Sequence, residues 1–167
     1  MVEFACATPL MVILLGGAHD FGLAQYSRIS LATAVAGGAE YAYLVGSGYA
    51  PTDTTSINGL AVLAGTVVIR GTPQVSSTQT ITTSTANGVT TLTAGIMTVT
   101  VTGPRWACLT VTGNTVTLPA GTGTCLDGSP AGLYISIDAT YSNTGLMAGF
   151  ISPSSYVVGE SARVLLQ

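Results

Sequence analysis

The sequence predicts an all-β fold, a small antiparallel barrel or sandwich with β-hairpins and an extended N-terminal segment. Three features predict it: apolar residues alternate with threonine, Gly and Asn punctuate short segments, and helical periodicity is scarce. A chain of 167 residues is long enough for one domain with its own core. We therefore divide it into an N-terminal arm or first strand, 1–27, and a β-rich domain, 28–167.

The clearest strand signal lies at residues 96–102. Met97, Val99 and Val101 alternate there with threonines, so one face is expected in the core and the other in water. Threonine suits the wet face because its β-branch fits a pleated strand while its hydroxyl stays hydrated without carrying charge.

Residues 109–118 predict a hairpin that turns at Gly113-Asn114. Gly and Asn tolerate the positive φ that a two-residue turn requires. The expected register places Thr112 opposite Thr115, Val111 opposite Val116, and then the pairs Thr110–Thr117 and Leu109–Leu118. The apolar pairs therefore share one face.

The remaining segments are also interpreted as turns and strands. Asn87-Gly88 and Asn58-Gly59 predict turns. Helix is limited to at most one short element near residues 29–36. Further strands are predicted at 41–45, 65–69, 133–137, 146–151 and 162–166.

The N-terminal segment leaves two interpretations open. Its apolar run, 10–15, ends at Gly16-Gly17, and a bilayer-spanning helix needs about 20 apolar residues, so we expect no membrane span. Glu3 and the lack of basic residues before the run make a poor secretory signal, which favours an intracellularly made protein. The segment is either an arm that docks on a neighbour or a buried central strand.

Charge is scarce. Only 7% of the residues are charged and the formal net charge is -3, against about 25% charged residues in ordinary domains. Weak self-repulsion favours association. The four basic residues are scattered arginines, and this pattern argues against nucleic-acid binding, which needs clustered positive charge.

The three cysteines, Cys6, Cys108 and Cys125, have no metal-site spacing. We favour three buried, reduced cysteines. In an exported chain, a disulfide between Cys108 and Cys125 would instead close a loop around the hairpin, and Cys6 would have no partner within the chain.

The sequence predicts no enzyme, with no catalytic, cofactor-binding or metal site. His19 is the single histidine, and no Gly-x-Ser-x-Gly elbow accompanies it. Asp127-Gly128 is typical of a turn, and neither Asp127 nor Asp53 lies in a spaced calcium loop. The candidate functional residues are therefore interface residues: Leu10, Val12, Leu14, Tyr41, Tyr43 and Trp106.

The last third of the chain carries a pattern of three segments: 126–138, a Gly-rich segment at 143–151, and 158–166, which contains Gly-Glu-Ser-Ala-Arg-Val-Leu-Leu. This pattern resembles tailed-bacteriophage head decoration, or capsid cement, proteins. The resemblance implies a virion structural protein that binds and stabilises the outside of a capsid lattice. Its implied partners are the major capsid protein and further copies of itself, in a trimer or another symmetric oligomer assembled in the host cytoplasm.

Two other functions remain open. Abundant Thr and Ser with little charge are equally natural in an extracellular filament, surface-layer or adhesin subunit, and a Cys108–Cys125 disulfide would favour it. A carbohydrate-binding β-sandwich would use Tyr41 and Tyr43, which share one face if residues 41–45 form a strand.

Overall fold

The structure, a computed structural model, describes residues 2–48, 54–113, 115–119, 121, 123–144 and 155–167. In these residues the chain forms two helices and seven strands. They are α1 Val2–Gly46, α2 Thr54–Gly71, β1 Thr82–Ala86, β2 Val89–Ala94, β3 Met97–Ala107, β4 Thr110–Thr112, β5 Thr115–Thr117, β6 Gly132–Asn143 and β7 Tyr156–Leu165. The fold is mixed α/β, and the all-β prediction is wrong.

Helix α1 is the largest departure from the sequence prediction. It runs for 45 residues through the predicted arm and through the predicted strand at 41–45. Its second half buries a stripe at helical spacing, Leu31, Val35 and Ala42; the separations of four and seven residues along it keep these side chains on one packed helix face. Alanine and glycine supply much of that stripe, so the apolar periodicity is weak in the sequence.

Helix α2 packs against α1 in the antiparallel direction. A Cβ placed on Gly38 of α1 would contact the Val68 side chain and lie 3.1 Å from the carbonyl oxygen of Ala64, so a glycine allows the close approach. The predicted turn at Asn58-Gly59 and strand at 65–69 are therefore wrong. The β-branched residues at 65–69 favour a strand locally, but burial of the helix face overrides that preference.

Five strands form one antiparallel sheet in the order β1-β2-β3-β6-β7. Met97, Val99 and Val101 of β3 are fully buried, so the predicted alternation is confirmed. Helix α1 packs on β6 and β7 while α2 packs on β2 and β3, and the core fills the space between. Neither helix packs on the opposite, outer face of the sheet.

The turn predicted at Asn87-Gly88 and the hairpin predicted within 109–118 are both confirmed. Asn87 and Gly88 adopt positive φ, 52° and 74°, between β1 and β2. Strands β4 and β5 pair with Val111 opposite Val116 as expected, and Gly113 has φ 60°; Asn114 lies outside the described residues. Their two valines are exposed, so the apolar face of this hairpin lies outside the core.

The later strand predictions are largely confirmed. Residues 133–137 lie within β6, and the predicted strand at 162–166 overlaps β7, which ends at Leu165. The strand predicted at 146–151 lies outside the described residues.

The molecule has two distinct ends. Helix α1 runs in the same direction as β7, since Arg28 bonds Glu160 and a Cβ on Gly46 would contact Leu166. The first half of α1 leaves the domain at the end where β7 begins, which we call the proximal end. The β4–β5 hairpin follows the other end of β3, which we call the distal end.

Candidate functional site

Residues 7–26 of α1, which we call the projecting segment, expose large apolar side chains all around the helix. Leu15 is 70% exposed and Phe21 is 67% exposed. Exposed neighbours include Leu10, Met11, Val12, Leu14 and Tyr26. A soluble helix hides such residues on one face, so this segment requires an apolar environment supplied from outside the domain.

The dimensions of the projecting segment match a bilayer. By length and composition, the helix Ala7–Gly46 is long and apolar enough to cross a membrane. Only 6% of its apolar 18-residue stretch is buried within the protein. That low burial separates the segment from the core helix of a soluble domain. At 1.5 Å per residue, its 20 residues span about 30 Å, the thickness of a hydrocarbon core.

The helix changes environment at the proximal end of the domain. Ser27 is buried, and the next residue, Arg28, forms a salt bridge of 3.0 Å with Glu160 on β7. Because the Arg28 side chain is 67% exposed, this pair adds little to the free energy of unfolding. The pair marks the point where α1 meets the sheet, and the buried stripe beyond Ser27 stabilises the contact.

A disulfide closes the distal end. Cys108 follows β3 and pairs with Cys125, with a Cα–Cα distance of 5.6 Å, so the reduced state favoured from the sequence is wrong for these two. The loop it closes carries the β4–β5 hairpin. Cys6, the third cysteine, lies in α1.

A turn adjoins this disulfide. The backbone N–H and the hydroxyl of Ser129 both donate to Oδ1 of Asp127. The hydroxyl bond contributes most, followed by the N–H bond, and together they lower the pKa of the Asp127 carboxyl. The turn predicted at Asp127-Gly128 is confirmed, with Gly128 at φ 86°.

The predicted interface residues do not form one surface. Leu10, Val12 and Leu14 lie together, exposed, in the projecting segment. Tyr41 packs partly on the core whereas Tyr43 is exposed. Two residues apart on a helix means roughly opposite sides, so the prediction that these tyrosines share a strand face is wrong.

Trp106 lies apart from these residues on β3 and is 39% exposed. Its neighbour Arg105 donates through Nη2 to the carbonyl oxygen of Leu118 at 3.0 Å. Arg105 thereby ties the end of β5 to β3, a positioning role that the sequence did not indicate.

Titratable groups do not assemble into a reactive cluster in the described part of the chain. No group of three or more His, Cys, Asp or Glu residues there could hold a metal ion. His19 is exposed within the projecting segment. The division of the chain at residue 27 stays a prediction: α1 continues through that position, although its surroundings change there.

These features define a class: a β-sheet domain carried on a long, exposed apolar helix. Residues 1–40 match the sequence model of the TadE-like protein family, a bacterial family associated with Tad pili. The match covers the projecting segment and the first turns of α1 packed on the domain. Comparisons with curated proteins and with solved structures gave no match.

The match and the helix correct the functional predictions. The resemblance to bacteriophage decoration proteins is wrong, and with it the capsid-lattice partner and the virion location. It rested on short Gly-punctuated strands, a pattern that many sheets share. The prediction that the protein has no membrane contact is also wrong, because a helix continues through Gly16-Gly17 and a spanning helix tolerates glycine.

Proposed function

We propose that this chain is a pilus-associated subunit whose projecting segment lies in the membrane and, on assembly, packs among the helices of other subunits. The observation that carries the proposal is the exposed apolar half of α1, which coincides with the TadE-like match. Of the functions left open by the sequence, the extracellular filament subunit is the one this observation supports.

The domain would then lie outside the cytoplasm. Disulfides persist in oxidising compartments, and Cys108–Cys125 closes the distal loop, the part of the domain farthest from the anchor. Helix α1 enters the domain at the Arg28–Glu160 salt bridge, and its buried stripe packs on β6 and β7, so this packing orients the domain relative to its anchor. A fixed junction lets subunits stack in register.

The proposal assigns a structural role without catalysis or nucleic-acid binding. Scattered arginines give no basic surface. Self-association through α1 replaces the capsid lattice as the expected interaction.

Membrane fractionation of cells that express the full chain tests the proposal. We expect the protein to resist carbonate extraction from membranes, and protease added outside spheroplasts to degrade the domain. Thiol labelling should leave Cys108 and Cys125 unmodified unless a reductant is added first. A soluble protein with both thiols free would refute the proposal, as would a domain protected from external protease. In a host with pili, the protein should also copurify with sheared filaments or with the membrane complex that builds them.

A further inference from the structure

The outer face of the sheet carries an ordered array of hydroxyl groups. Thr82, Thr93, Thr98 and Thr140 stand in register across four adjacent strands, β1, β2, β3 and β6. A second row, Ser84, Thr91 and Thr100, runs beside it. Neighbours are about 4.8 Å apart across strands, and the rows are about 6.7 Å apart along each strand. We call these side chains the threonine face.

Most hydroxyls of this face have no protein partner in the described part of the chain, although the Thr140 hydroxyl donates to the carbonyl oxygen of Thr98 at 3.4 Å. Those of Thr91, Thr93, Thr98 and Thr100 donate to and accept from no protein group there. On the opposite side of the sheet, by contrast, the Thr85 and Thr90 hydroxyls bond each other at 3.1 Å. The face therefore offers donors, acceptors and threonine methyl groups together.

Charge on this face is confined to its β6–β7 side and is already paired. Arg163 bonds Asp138 at 3.0 Å, and Ser136 donates to the other carboxylate oxygen at 2.9 Å. Strands β1, β2 and β3 contribute no large apolar residue and no ionisable group to the two rows, and the second row ends at the paired Asp138, which lies opposite Thr100. An apolar protein surface, a lipid surface or a nucleic acid would find neither burial nor countercharge here.

We propose that the threonine face binds a neutral polysaccharide. A chain of linked sugars presents hydroxyls on its edges and C–H groups on its faces, which match the alternating hydroxyls and methyls of the threonine rows. The proposal moves carbohydrate binding from the tyrosines, of which Tyr41 packs on the core, to the exposed sheet.

The array predicts weak binding for each sugar and useful binding only for a polymer. Each new hydrogen bond replaces one to water, so its net contribution is small. Several rows acting on one chain add up, and repeated copies along a filament would raise the effective concentration of the next contact. This step rests on the proposed filament role, whereas binding by a single copy does not.

The test is a pull-down of the full chain on microcrystalline cellulose and on chitin, in a detergent without sugar headgroups. We expect retention on at least one polymer and release by the matching soluble oligosaccharide. The variant T91V/T93V/T98V/T100V removes four hydroxyls while keeping side-chain shape, and its retention should fall by about tenfold or more. The matched control T110V/T112V/T117V changes exposed threonines of the separate β4–β5 hairpin and should bind as wild type.

Each other outcome overturns the proposal. No retention of the wild type on either polymer does so directly. Equal or stronger retention of T91V/T93V/T98V/T100V would mean that the hydroxyls are not the binding groups. If that variant loses its circular-dichroism signal, Thr100→Lys, a single change that places a long charged side chain amid the rows, must abolish retention for the proposal to stand. Membrane insertion is measured separately, so a failure here leaves the anchor untouched.

Discussion

Replacing Leu15 by arginine tests the anchor directly. Leu15 lies near the middle of the projecting segment and is 70% exposed, so the domain does not use it for packing. On insertion scales, leucine at a membrane centre is favourable by about 0.3–0.6 kcal/mol and arginine unfavourable by about 2.5–3.5 kcal/mol. The exchange therefore makes the free energy of insertion less favourable by about 3–4 kcal/mol, which lowers the partition constant by roughly two to three orders of magnitude.

Leu44→Arg is the matched control. Leu44 is a leucine of the same helix, 66% exposed, but it lies beside the sheet, outside the projecting segment. We expect carbonate-resistant membrane protein, measured by quantitative immunoblot, to fall sharply for Leu15→Arg and to stay unchanged for Leu44→Arg. Both variants should keep the thermal unfolding transition of the domain. Unchanged membrane retention of Leu15→Arg would refute the anchor, and loss of the transition would show that the segment belongs to the core.

Three further predictions concern the domain. A Cβ on Gly38 would contact Val68, so Gly38→Ala should lower the free energy of unfolding by about 1–3 kcal/mol. A Cβ on Gly37 has no neighbour within 4 Å, so Gly37→Ala should raise the free energy of unfolding by up to about 1 kcal/mol. If denaturant titration shows that both variants change the free energy of unfolding in the same direction, this packing is contradicted. Replacing both disulfide cysteines by serine should lower the melting temperature, with a loss of about 3 kcal/mol for a loop of this length, and an unchanged melting temperature would count against the disulfide. The lowered pKa of Asp127 means that its hydrogen bonds stabilise the fold at neutral pH and are lost as pH falls through that pKa; Ser129→Ala should raise the pKa in an NMR titration, and no movement would exclude Ser129 as its cause.

The sheet was predictable because its signals are local. Alternation at Met97, Val99 and Val101 has period two, which only a half-buried strand explains. The turns at Asn87-Gly88 and at Gly113 need positive φ, which few residues tolerate. Such local signals do not depend on tertiary contacts, so they predict these strands correctly even though the predicted fold class is wrong.

The helices escaped prediction because their signals depend on partners. Helix α2 contains β-branched residues that favour strands, and only the α1 and sheet surfaces around Ala64 and Val68 hold them in a helix. Gly38 likewise indicates a turn until the neighbouring helix shows why no side chain fits there. The projecting segment escapes prediction for a simpler reason: its apolar run stops at Gly16-Gly17 in the sequence, although the helix continues through both glycines.

The two proposals give the scarcity of charge two separate causes, which one composition figure for the whole chain does not distinguish. In the projecting segment, the proposed hydrocarbon environment would disfavour charge. On the outer face of the sheet it is scarce because threonine takes the place that lysine and glutamate occupy on ordinary surfaces. On the two proposals, the figure of 7% charged residues combines a segment suited to an apolar environment with a sheet face suited to a neutral polar partner. Variants that add charge should separate the two: at Leu15 charge affects retention in the membrane, and at Thr100 it affects retention on the polysaccharide.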